Sequence, residues 1–176
     1  MKKNEVMWIR LLIGLVVALL GSGVLGFSIF YIIFSWWTVR LSSVMFQLFH
    51  DSVAAVGNVF VVENQVIELI PACVAASAYL LLALLIVLTR GMSFKKGLTL
   101  FFVGSVLILV ANVIRIEILV ALLLKSDVNY FEQLHLFFWK VLASVYVAGV
   151  WIFLSKKFKV KEIPVYSDIK AIFSGD

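Results

Sequence analysis

The chain has 176 residues, of which 64% are hydrophobic and only 14% charged, and a mean hydropathy of +1.12, far more apolar than an ordinary soluble domain. Its net charge of +5 does not point to nucleic acid, because the lysines and arginines sit in short segments between apolar runs, where they act as topology signals and lipid headgroup contacts. A single cysteine excludes an internal disulfide, and one cysteine with two histidines is a thin basis for a zinc site.

A helix needs about 20 apolar residues to cross a bilayer. The first run, within Trp8 to Phe34, meets that length, and it is too long and too uninterrupted for a cleaved signal peptide, so it reads as a retained anchor. From Trp36 to Phe49 apolar residues recur at roughly helical spacing, as expected of an amphipathic helix lying in the interface. Gly57-Asn58 breaks that pattern. The β-branched runs Val59 to Val62 and Val66 to Ile70, separated by Glu63-Asn64-Gln65, then read as a small hairpin. Pro71 suits the first turn of a helix. Further apolar runs lie within Ala72 to Thr89, Leu98 to Leu124 and Phe137 to Leu154. The expected fold is an all-α integral membrane protein of about four transmembrane helices, with an external interfacial helix and a short β-hairpin. A single transmembrane domain spans 1–155, followed by a basic cytoplasmic tail over 156–176.

Eleven lysines and arginines precede the first run, lie between the second and third, or follow the fourth, against Arg40, Lys125 and Lys140 on the other side. The positive-inside rule then places both termini in the cytoplasm and segments 35–71 and 125–136 outside. Three chemically active residues fall at the outer surface. Cys73 lies in Ile70-Pro71-Ala72-Cys73 at the mouth of the second run, where a helix first turn would favour a thiolate. Arg115 lies in the outer half of the third run, with Asn112 one turn away, and an arginine at that depth costs several kcal/mol unless it snorkels or finds partners. Glu117, two residues on, falls on a different helix face. His135 precedes the aromatic start of the fourth run. Each residue has a plainer role available: Cys73 as small packing, Asn112 as an interhelical hydrogen bond, the histidines as interfacial side chains. His50 serves as the example of that last role, and His50→Ala is expected to be nearly silent.

A Pro-Ala-Cys at the top of a membrane helix, Asn112-Val113-Ile114-Arg115 about forty positions later, and then His135 together resemble the exosortase/archaeosortase family of membrane cysteine transpeptidases, in its short archaeal form. The resemblance runs from roughly Gly57 to Leu154. It implies recognition of a membrane-anchored protein substrate by its C-terminal tripartite sorting signal, cleavage through a Cys73 thioester, and transfer of the new C-terminus to a lipid or other amine. It implies no cofactor or metal. By the resemblance Cys73 is the nucleophile, Arg115 the family arginine and His135 the third catalytic position, with Asn112 in support. Val74, Ala75 and Ala76 follow Cys73 where the family often has a glycine, and the interval from Arg115 to His135 is short. The chemistry is coherent on its own terms: a thiolate attacks a peptide carbonyl, the arginine stabilises the oxyanion and a histidine moves the proton. Two other classes fit the composition, namely a non-enzymatic subunit of a transport or secretion complex and an intramembrane cysteine protease that only hydrolyses.

Overall fold

Without a glycine or proline between Phe27 and His50, the backbone has no reason to stop, and helix α1 runs unbroken over Val24–Phe49. The structure, a computed structural model, describes residues 24–89, 92–125 and 143–160. After α1 come three strands, β1 (Val53–Val56), β2 (Val59–Val62) and β3 (Gln65–Glu68), in one antiparallel sheet of order β1-β2-β3. Both connections are two-residue turns, since Val56 pairs with Val59 and Val62 with Gln65. Gly57, Glu63 and Asn64 supply the positive φ angles such tight hairpins require. A 3-10 turn (Pro71–Val74) leads to helices α2 (Ala76–Leu88), α3 (Phe94–Lys125) and α4 (Ala143–Lys157).

Contacts along α3 give the helix directions. Phe30 meets Phe101 near one end and His50 meets Glu117 near the other, so α1 runs parallel to α3. On α2, the turn holding Cys73 touches Asn112 while Ile86 lies beside Gly97, so α2 is antiparallel. The hydroxyl of Tyr146 donates to the Leu107 carbonyl and Lys96 Nζ to the Lys159 carbonyl, which makes α4 antiparallel as well. The helices pack closely at Gly104, where an added Cβ would stand 2.6 Å from Leu82 Cδ2 and 3.0 Å from Leu154 Cδ1. A small residue there lets the side chains of two neighbours close over the α3 backbone. Tyr79, Leu82, Leu100 and Leu154 complete this fully buried core. A second core, Phe46, Phe60, Val62, Leu69, Ile116 and Val120, seats the sheet against α1 and α3.

The outer faces are apolar too. On α3 the exposed residues Leu98, Phe102, Val106, Val110, Ile114 and Ile118 recur every fourth position, and α1 exposes Ile29, Ile32, Ile33, Trp36 and Trp37. Among the described residues two helices are long and apolar enough to cross a membrane, over Ser28–Phe49 and Phe94–Lys125. At about 1.5 Å per residue these 22 and 32 residues reach about 33 Å and 48 Å, against a hydrocarbon core of about 30 Å. Charge is sorted by end. Lys95, Lys96, Lys156, Lys157 and Lys159 gather where α3 begins and α4 ends, whereas all four acidic residues among those described, Asp51, Glu63, Glu68 and Glu117, lie toward the opposite end with Lys125.

This architecture corrects the expected four-span, all-α fold. Among the described residues two helices meet the spanning length, not four. The run from Ala72 to Thr89 yields only the 13-residue α2, because the backbone turns left-handed at Ala75 and becomes extended at Thr89. The described part of the fourth run is the 15-residue α4. The expected interfacial helix is no separate element but the C-terminal half of α1, whose Thr38 and Ser42 face inward and are fully buried. The expected hairpin is present, yet it belongs to a three-stranded sheet; Val53-Ala54-Ala55-Val56 forms the extra strand without the alternation that would have marked it.

Because Gly104 sits against fully buried leucines, Gly104→Val should lower stability by about 1–3 kcal/mol through overpacking. Gly149→Ala, where nothing lies within 4 Å, should be neutral or stabilising by up to about 1 kcal/mol. Thermal unfolding of both variants in the same detergent checks the contrast.

Candidate functional site

The sheet and α2 are joined by Leu69-Ile70-Pro71, and Pro71 opens the 3-10 turn in which Cys73 stands. The turn is closed by the Cys73 N–H donating to the Ile70 carbonyl at 2.8 Å. Ala75 then takes φ 56°, a left-handed conformation costing an alanine roughly 1–2 kcal/mol, and α2 begins one residue later. Cys73 is therefore placed ahead of the helix and not in its first turn. Its N–H is already engaged, so the helix dipole argument for a thiolate does not carry over to this geometry.

What holds the turn is α3. Asn112 Nδ2 donates to the Cys73 carbonyl at 2.7 Å, so this side chain positions the cysteine backbone. Arg115, three residues further along the same helix face, is 9% exposed and lies within electrostatic reach of Cys73. Its Nε and Nη2 are buried with no hydrogen-bond partner among the described residues. A guanidinium carries five donors and remains charged when desolvated, so such burial is costly unless an anion or a strong acceptor is drawn to it. Cys73 itself is half-buried, free, and packed against the second core. The hydroxyls of Thr38, Ser42, Tyr79 and Ser105 are likewise buried without partners among the described residues, so polar groups run down the inner faces of α1, α2 and α3 below the cysteine. His135 lies outside the described residues.

One assembly was not anticipated. His50, one residue past the end of α1, places Nε2 2.9 Å from Glu117 Oε1 and Nδ1 3.1 Å from Glu63 Oε1. Its side chain is 7% exposed and that of Glu117 12%, whereas Glu63, in the turn between β2 and β3, is half-exposed. Burial disfavours the imidazolium, but the hydrogen bonds and charges of both carboxylates outweigh it, and the pKa of His50 is raised. Only the doubly protonated ring donates at both nitrogens. His50 thus ties α1, the sheet and α3 together at the cysteine end of the molecule, in place of the inert interfacial role expected for it. A signal was present in the sequence: Glu117 is a lone carboxylate inside an apolar run and needs a cation or donor nearby.

Among the described residues no group of three or more histidine, cysteine, aspartate or glutamate side chains is arranged to hold a metal ion. No family model, curated protein or solved structure matches the chain. The arrangement combines a thiol, a neighbouring buried cation with open donors, and an amide that fixes the backbone between them. Those are the components required to hold a carbonyl against a sulfur nucleophile and to take up negative charge on its oxygen.

His50→Ala leaves Glu117 buried without its donor and should cost about 1–3 kcal/mol, with Glu117→Gln costing less. A raised folded-state pKa means that the stabilisation from His50 is complete below the unfolded value and is lost as pH rises through the folded one. The wild-type melting temperature should therefore fall from mildly acidic toward alkaline pH relative to His50→Ala, as a series of melts in one detergent at constant ionic strength would show.

Proposed function

We propose that the chain is a polytopic membrane cysteine transpeptidase of the exosortase and archaeosortase kind, acting on membrane-anchored proteins that carry a C-terminal sorting signal. The observation that carries this reading is the buried Arg115, with Nε and Nη2 lacking partners among the described residues, within electrostatic reach of a cysteine whose carbonyl is held by Asn112. A structural arginine would be expected to spend its donors on the protein; among the described residues this one keeps two for an incoming acceptor.

In this mechanism the Cys73 thiol, its pKa pushed up by burial, gives its proton to His135 as its sulfur attacks the carbonyl carbon at the cleavage site, forming a C–S bond while the carbonyl oxygen becomes an oxyanion held by Arg115. Collapse breaks the C–N bond, and the departing amine takes a proton from His135. The acceptor amine then attacks the thioester, a new C–N bond forms, the C–S bond breaks, and His135 receives the proton. The thioester conserves the energy of the cleaved bond, so no nucleotide is consumed. Asn112 is a positioning residue in this scheme.

Orientation belongs to the same proposal. The lysine-rich end faces the cytoplasm under the positive-inside rule, together with the N-terminal end of α1 and the C-terminal end of α4, and Cys73 faces the outer leaflet. Helices α1 and α3 cross, with α2 and α4 packed alongside. The exposed apolar face of α3 supports this placement, because in water it would be a liability.

Intact-mass measurement of a tripartite-tail substrate co-expressed with the protein is the test. Wild type should yield a shortened substrate bearing an added lipid or amine, and Cys73→Ala should yield none. Arg115→Lys should reduce the product by about 10²-fold or more, since a point charge replaces a planar fork of donors. A bare new carboxyl end would indicate hydrolysis alone. Equal processing by wild type and Cys73→Ala would remove the mechanism.

A further inference from the structure

At the end of the bundle opposite Cys73 lies a cavity of about 530 Å³, within the range typical of small-ligand sites. Phe30 of α1, Ala83 and Ile86 of α2, and Phe94, Leu98 and Phe101 of α3 form most of its wall. Gly97, also in the lining, stands fifteen residues before Asn112 on α3, about 22 Å away along the axis at about 1.5 Å per residue, so the cavity is separate from the cysteine site.

Charge decides what fits it. Lys95 and Lys96 occupy the same helical turn as Phe94 and Leu98 of the wall. Lys96 Nζ donates to the Lys159 carbonyl at 3.3 Å, and this contact brings the end of α4, with Lys156, Lys157 and Lys159, to the start of α3. No carboxylate lies at this end among the described residues. Ser93 caps α3 by accepting the Lys96 N–H, and it also lines the cavity, so the positive end of the helix dipole adds to the lysines. An apolar groove at the same end of the bundle as a cluster of lysines matches a molecule with a hydrocarbon chain and an anionic head.

We propose that this groove is a binding site for an anionic phospholipid of the surrounding membrane, one acyl chain lying between α1, α2 and α3 and the phosphate resting against Lys95, Lys96 and the lysines that end α4. The lipid bound here is a resident of the leaflet on the lysine side, distinct from any acceptor at Cys73. The site stands independently of the transpeptidase reading and survives its failure. Anionic headgroups gain about fivefold in binding per neighbouring lysine, and the groove selects against lipids held only by the general apolar surface.

Native mass spectrometry of the full-length protein released from detergent, with phosphatidylglycerol or phosphatidylcholine of identical chains added, tests this. The wild type should retain one phosphatidylglycerol in marked preference to phosphatidylcholine. Lys95→Gln combined with Lys156→Gln should reduce that retention by roughly 25-fold, at about fivefold per lysine. Ala83→Trp, which fills the groove, should abolish the retained lipid, and so should Leu98→Trp, whose side chain starts from the exposed rim and leaves the packed core untouched. Equal retention of the two lipids by the wild type would overturn the proposal, as would undiminished phosphatidylglycerol binding in both tryptophan variants, which would mark it as surface lipid only.

Discussion

Three polar side chains within two turns of one apolar helix set the terms for the rest of the molecule. Asn112, Arg115 and Glu117 of α3 cannot be left unanswered in a low-dielectric interior, where each unmet donor or charge costs kilocalories. Because successive residues on a helix are rotated by about 100°, the three cannot share one partner. Asn112 is met by the Cys73 carbonyl and Glu117 by His50. Among the described residues Arg115 keeps two donors without a partner, within electrostatic reach of the thiol. The elements that surround the upper half of α3 are those that supply these answers.

The sheet serves that arrangement. Its buried residues Phe60 and Val62 pack on Phe46, Ile116 and Val120, and the tight turn at Glu63-Asn64 brings a carboxylate to His50. The chain then leaves β3 for Pro71 and the 3-10 turn, so the cysteine is delivered at the depth of Asn112. A left-handed alanine at the junction with α2 indicates that the position of the turn is dictated by its contacts and not by local backbone preference. Lower down, the close approach at Gly104 holds α2 and α4 against α3 and gives the site a rigid base.

The two ends of the bundle differ in kind. The end that holds the thiol also holds the assembly of His50, Glu63 and Glu117; the other holds the lysines and an apolar groove. Between them the exposed faces of α1 and α3 are mainly apolar, with Arg40 and Thr99 among the exceptions. Such a distribution, polar inside at one level, basic at one rim and greasy around the waist, is what a protein needs when hydrocarbon is its solvent and headgroups lie at its edges.

Much of this was legible residue by residue. The overall apolarity, the helical runs, the hairpin at 59–70 and the sorting of lysines follow from local composition and spacing, whereas Cys73, expected in a helix first turn, stands in a 3-10 turn ahead of α2. Helix lengths were not legible, because hydropathy persists through Ala75 and Thr89, where the backbone changes direction, and weakens after Phe34, where it does not. Nor were the partnerships. Sequence spacing correctly separated Glu117 from Arg115, but nothing local to either revealed that His50, 67 positions earlier, would close on Glu117, or that Asn112 would reach back 39 positions to Cys73. Periodicity is a property of one segment and can be read along the chain, whereas the partner of a buried polar group is chosen by the packing of several segments at once, and only the tertiary structure decides it.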